Sequence, residues 1–323
     1  MNVKLFSIIR FILLLFIVLV WNCKEGSCRE INTIRSILSE KEYDQLFPLR
    51  DRFYSYNAFL GAVKQMSAIK ITIERQGQWI YRITRHDSNK GTSVVLREDA
   101  DWDQPWAKKF HKSIKIVDYA KLCTNNSDEV NKRELAALFA HLSHETRKGE
   151  NGNFKDGLML TKELDTTASY VTINTIYPAI KGRKYYGRGP LQLSFNTNYG
   201  LASSCIFGDK NILLQDPDLI TRDAVVAFET AIFFWMTPQG SKPSCHEVIA
   251  NGWNPDEQDK AHNYSSGFGL TINIINGGLE CNRGLEQKEM KDRVAFYKYY
   301  LRFFKIKDNN EKCTCEKMIP YPG

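Results

Sequence analysis

Residues 131–150 read NKRELAALFAHLSHETRKGE. Leu135, Leu138, Phe139 and Leu142 recur at helical spacing, which predicts an amphipathic helix through most of this stretch. Asn131, with Glu134 three residues later, has the form of a capping box and marks the expected start. The helix closes on His141, His144 and Glu145, three polar groups at the end of a run that is burying itself. Such an end is either solvated or a site.

Zinc helices of the HExxH type place two histidines four apart, with the glutamate directly after the first. Here the histidines are three apart, Glu145 follows the second, and only four other histidines occur, so no metal is expected. There is no GxSxG elbow for a serine nucleophile. Phosphate cradles of the GxxxxGK[ST] or GxGxxG kind are also missing; YGRGPLQLS (186–194) has one glycine too few. Carboxylates fit better. Cleavage of a glycosidic bond needs one protonated carboxyl for the leaving oxygen and a second carboxylate to activate water or attack. Glu145 closes a buried helix, where partial desolvation suits a carboxyl that must keep its proton. Glu163, in GLMLTKEL (157–164), follows a Gly/Asn-rich turn that can return it to the other side of a cleft. Each glutamate taken alone reads more readily as a surface residue.

The rest of the 323-residue chain reads as one main domain over residues 38–306. Lys4 and Arg10 precede an apolar run, Phe11–Trp21, that is shorter than the roughly 20 residues of a spanning helix. That pattern predicts a signal peptide over about residues 1–28 and a secreted protein without stable membrane association. Eight cysteines, dispersed and not in CxxC pairs, agree with an oxidising compartment. The net charge of +7 has no Lys/Arg stripe to suggest nucleic acid and reads as solubilising surface charge. The chain before Met66 has helical spacing interrupted at Pro48. Residues 69–86 alternate as a hairpin turning at Gly77. Residues 223–236 are apolar nearly all round, which predicts a buried central helix. GFGLTINIINGG (267–278) reads as irregular, residues 286–304 as an amphipathic helix, and 307–323 as a charged tail.

HLSHET (141–146), KYYGRGPLQLSFNTNYG (184–200), FFWMTPQGSKPSCHEVI (233–249), GFGLTINIINGGLEC (267–281) and KDRVAFYKYY (291–300) resemble, in order, the signature blocks of the family 19 glycoside hydrolases. FYSYNAFLGAV (53–63) is similar to the start of that domain. The resemblance implies a mainly α, α+β, lysozyme-like fold: a two-lobed helical domain with a long substrate cleft, here carrying a small β-hairpin elaboration over residues 65–130. It further implies endo-acting, inverting hydrolysis of β-1,4-linked N-acetylglucosamine chains without cofactor or metal, by a monomer whose partner is the polysaccharide. Glu145 corresponds to the general acid, Glu163 to the general base and Ser194 to the residue holding the water. His144, Tyr177, Gln192, Asn198, Lys242, Asn276 and Arg293 match positions that contact sugar or order the acid–base pair. An aromatic face at Tyr177 would stack on a sugar ring. Arg293 would keep one carboxylate ionised while another holds its proton. The family pattern pairs Cys281 with Cys313 or Cys315, and Cys205–Cys245 is a second candidate bridge. The usual Gly-Gly after HET is replaced by Arg147-Lys148. Cleavage of peptidoglycan by the same chemistry, or chitin binding without catalysis, are the alternative readings.

Overall fold

The computed structural model describes residues 25–149, 153–250, 252–308 and 311–322, with side chains from Ile31 onward. The expected leader falls outside these residues apart from its last four, which lie in the first helix. α1 (Glu25–Ile37) and α2 (Glu40–Leu46) are separated by Ser39, which forms a reciprocal capping box with Glu42. The chain turns at Pro48 and resumes as α3 (Tyr56–Met66), capped by Ser55. β1 (Ile69–Gln76) and β2 (Ile80–Asp87) form the predicted hairpin, with Gly77 at φ +61° in the turn. The elaboration is larger than a hairpin. β3 (Thr92–Glu98) and β4 (Lys112–Asp118) extend it to an antiparallel sheet of order β3-β2-β1-β4. Neither added strand has a regular buried face, so neither carries the alternation by which a half-buried strand is recognised.

α4 (Asp128–Thr146) starts one turn before the predicted position and is capped by Ser127. Asn131 and Glu134 are therefore inside the helix and form no capping box. Asn131 exchanges hydrogen bonds with the Asn125 backbone at 2.7 and 3.0 Å. Glu134, fully buried, accepts from Cys123 N, Trp235 Nε1 and His246 Nδ1. After a long irregular segment come α5 (Asn196–Phe207), α6 (Asn211–Gln215), α7 (Leu219–Arg222) and α8 (Ala224–Met236). α8 is the buried central helix that its all-round apolar sequence predicted, and Asp223 caps its first amides at 2.9 and 3.2 Å. α9 (Cys245–Ile249), α10 (Glu257–Ala261), α11 (Phe268–Glu280) and α12 (Lys288–Phe303) complete the order. The stretch read as irregular is thus helix α11, broken at Asn276 (φ −145°, ψ 33°). Its glycines serve packing and not disorder: a Cβ on Gly269 would sit 2.2 Å from the Thr314 carbonyl oxygen.

One buried cation fastens the sheet to the helical body. Arg85 on β2, 3% exposed, donates to the Cys205 and Ile206 carbonyls at 2.8 and 2.9 Å, and also to Asp87. Those carbonyls belong to the last turn of α5, which has no intrahelical donors for them. The segment set apart as a tail is also part of the body. Cys313, Cys315, Met318 and Tyr321 join the same core as Ile34 and Ile37. Glu311 accepts from Arg133, Tyr297 Oη and Phe268 N at 2.7–2.9 Å. Cys281 bonds Cys315, one of its two expected partners. The Cys205–Cys245 pairing is incorrect: both thiols are free and buried, Cys205 against Tyr119 and Cys245 near Lys242. Among the described residues no helix is long and apolar enough to cross a membrane.

Glu229, 2% exposed in the middle of α8, carries a titration signature of its own. Burial first, and the charge of Asp223 second, push its carboxyl from the ordinary 4.5 up to about 8. Between those values the native state keeps a proton that the unfolded chain has released, so stability falls as pH rises through the window. Glu229→Gln is expected to raise Tm by several degrees near pH 9 and to leave it close to wild type near pH 4.5. Thermal denaturation at the two pH values checks this; equal shifts at both would remove ionisation as the cause.

Candidate active site

Glu145 lies in the last turn of α4 with its side chain 19% exposed, and one oxygen receives Arg293 Nη2 at 2.5 Å. Arg293, on α12, is itself 1% exposed. Its guanidinium also donates through Nε and Nη2 to Glu280 at 2.8–3.1 Å. Glu280 ends α11 and is completely buried. Burial alone would raise its pKa, but the Arg293 charge and hydrogen bonds, with Asn276 and His144, hold it below the ordinary carboxylate range. Asn276 reaches Glu280 at 2.8 Å from the break in α11. At the same break, the Ile274 carbonyl accepts from Lys242 Nζ at 3.3 Å, and burial lowers the pKa of that lysine. Glu145, Arg293, Glu280 and Asn276 therefore form one bonded cluster, and Lys242 is tied to the same break in α11 through the Ile274 carbonyl.

Glu163 is placed by backbone. Leaving α4, the chain folds back so that Leu158 N donates to Thr146 Oγ1, and Met159 and Leu160 N donate to its carbonyl. Thr161 and Glu163 then pair with Gly189 and Gly187 across a short ladder that continues from Arg188 to Leu193. Glu163 Oε1 accepts from Gly187 N at 3.1 Å, and Oε2 accepts from Tyr170 Oη at 3.0 Å. Gly187 leaves room for its neighbours: a Cβ there would lie 2.9 Å from Gln192 Oε1 and 3.4 Å from Ser194 Oγ. Glu163, Gln192 and Ser194 thus crowd around one glycine. Ser194 Oγ donates to Gln192 O, and Asn198 Nδ2, in the first turn of α5, fastens the Ser194 carbonyl at 2.9 Å.

The family model for class I chitinases matches residues 97–315. The chain belongs to glycoside hydrolase family 19. A basic endochitinase of Vitis vinifera is 42% identical over 202 residues, which cover 61% of this chain and 63% of the relative. This chain therefore spans less than two thirds of that relative's length. A protein of Hevea brasiliensis described as an inactive chitinase-like protein is 43% identical over 223 residues, 67% of this chain and 69% of its own. Chitinase C of Streptomyces griseus superposes with a TM-score of 0.58 at 26% identity, covering 86% of this chain and 97% of that one. The family 19 fold is mainly helical and lysozyme-like, here with the small four-stranded sheet.

Other positions singled out by family resemblance lie at the margins of this site. His144 Nδ1 pairs with Asp292 at 2.7 Å, and Asp292 is also held by Arg147, which reaches Asp156 at 3.1 Å. Burial would raise the Asp292 pKa, but His144 and Arg147 together bring it below its ordinary value. The Arg147 that departs from the family pattern is thus an ion-pair bridge between the α4 terminus, the following loop and α12. Tyr177 lies with its ring against Gly200, where a Cβ would come within 2.5 Å, so its ring packs on α5. His141 is bonded to both Arg293 and Thr271. Glu280, Asp292 and Tyr170 were missed, since an isolated Glu, Asp or Tyr in an otherwise apolar or mixed run carries no local signature. The one signal for Glu280 is an acidic residue beside a cysteine at the end of a run that proved to be helical.

Arg293→Met removes the cation from a fully buried carboxylate. It is expected to cost about 3–5 kcal/mol of stability, because Glu280 is left charged and unpaired. The double variant Arg293→Met/Glu280→Leu should regain most of that loss in urea denaturation. A double variant no more stable than the single would show that the pair's charge is not the source.

Proposed function

We propose that this chain is a secreted, monomeric endochitinase that hydrolyses β-1,4-linked N-acetylglucosamine polymers with inversion. The observation that carries the reading is the presence of two differently built carboxylates: Glu145 under a buried guanidinium, and Glu163 held by a backbone amide and a phenol beside Ser194. Glu145 delivers a proton to the leaving glycosidic oxygen, and Arg293 stabilises the carboxylate that this transfer creates. Glu163, oriented by Gly187 N and Tyr170 Oη, takes a proton from the attacking water. The single hydrogen of Ser194 Oγ goes to the Gln192 carbonyl, so its lone pairs remain to accept from that water. Inversion needs the two carboxyls about 6.5–9.5 Å apart to admit it.

His144, Tyr177, Gln192, Asn198, Lys242 and Asn276 are proposed to line the sugar subsites. The grape relative, described as an endochitinase, supports chitin as substrate. The Hevea relative, described as inactive, favours the second reading, a carbohydrate-binding protein without turnover. The two differ in whether chitin that is bound is also cut.

Glu145→Gln and Glu163→Gln should each lower kcat on chitin oligomers by on the order of 10²–10⁴ without changing Tm greatly. The first-formed reducing end, read by NMR, should be the α-anomer. Turnover of the Glu145 variant at the wild-type rate would sink the assignment. Chitin retention by wild type without any product would establish the binding reading. Faster release from purified bacterial wall than from chitin would redirect the substrate to peptidoglycan.

A further inference from the structure

His141 stands one helical turn before Glu145 on α4 and is completely buried. Its Nδ1 lies 3.1 Å from Arg293 Nη1, and its Nε2 lies 2.8 Å from Thr271 Oγ1. A guanidinium only donates, so Nδ1 accepts and carries no proton. Thr271 Oγ1 gives its hydrogen to the Phe268 carbonyl at 2.7 Å, so it accepts from Nε2–H. Chemistry thus selects one neutral tautomer. Burial, with the Arg293 and His144 charges behind it, holds the imidazole well below its ordinary pKa and agrees with that tautomer. The ring is also fixed in plane: Phe268 stacks on it at 4.8 Å and is itself stacked on Tyr297 at 4.2 Å.

Arg293 has three partners around its plane. Nε and Nη2 face Glu280, Nη2 also reaches Glu145, and Nη1 turns to His141. Glu280 alone leaves the guanidinium free to pivot about the Nε–Nη2 edge; a second fixed acceptor on Nη1 removes that freedom. We propose that His141 is a positioning residue for the acid, a neutral acceptor that locks the Arg293 guanidinium with its Nη2 edge on Glu145. An anion at this point would compete with Glu145 for the cation, and an imidazolium would repel it. A neutral acceptor held by Thr271 does neither. The inference rests on the proposed roles of Glu145 and Arg293.

The test is kcat and KM on chitin oligomers for His141→Leu, His141→Asn and Thr271→Val, with Tm measured alongside. The side-chain carbonyl of His141→Asn falls near the place of Nδ1 and restores an acceptor. Loss of the lock should lower kcat of His141→Leu about 10–100-fold with KM nearly unchanged, the pattern of a group that acts on the transition state. His141→Asn should recover most of the rate, again with KM nearly unchanged. If His141→Leu does not fold, Thr271→Val supplies the same readout, with a smaller fall in kcat at unchanged KM. Full kcat in His141→Leu overturns the proposal, as does a folded His141→Asn no faster than His141→Leu, whatever happens to Tm. Activity surviving in Glu145→Gln would instead overturn the acid assignment itself, so the two failures are distinguishable.

Discussion

The buried guanidinium of Arg293 dictates the arrangement of three helices. Moving such a charge out of water costs several kcal/mol unless it is matched by partners of good geometry. Here the partners come from α4, which supplies Glu145 and His141, and from α11, which supplies Glu280. α12 brings the arginine itself, and all three helix axes must meet for the charge to be satisfied. The C-terminal segment completes the enclosure by lying against Gly269 and bonding Cys315 to Cys281, the residue next to Glu280. What looked in the sequence like a surplus tail is a wall of this compartment.

The opposite carboxylate is set by other means. Glu163 belongs to no helix, and its partners are a peptide N–H and a tyrosine hydroxyl. Close approach does the positioning, because the missing Cβ of Gly187 lets Gln192 and Ser194 fold over the ladder. Two residues there, Gln192 and Phe195, have positive φ without being glycine, a strained backbone of the kind that clusters at functional sites. The two carboxylates therefore differ in environment by construction: one faces a fixed full charge and the other faces dipoles.

Much of this was legible in the residues, and for identifiable reasons. Leu135, Leu138, Phe139 and Leu142 announced α4, because burial of a helix face leaves a 3.6-residue trace, and the run apolar on all sides over 223–236 announced the buried α8. The hairpin at Gly77 was equally clear. The helix start at Ser127 was misjudged because Ser, Asp and Asn cluster there and any of them can cap. α11 was hidden by glycines that normally weaken helices but here admit the Thr314 carbonyl and the Asn273 side chain. The third and fourth strands lacked a buried face to betray them. Cys205 and Cys245 are each sealed in separate surroundings, a tertiary fact that counting thiols does not reveal. Glu145, Glu163 and Ser194 were singled out through the family resemblance, whereas the contacts of Glu280, Asp292 and His141 join segments more than 100 residues apart or arise at a helix end not foreseen.

The contrast between helix-borne and loop-borne glutamates also sets how firmly each is held. Amides around Glu145 are tied into packed helices and a disulfide-closed segment, so their protection from solvent exchange tracks the global stability of the protein. Glu163 hangs on a short ladder that leads into an exposed coil, where Leu164 is 78% and Ile173 fully solvent-accessible. Local opening there should cost far less free energy, so Glu145 sits on a rigid support and Glu163 on an adjustable one.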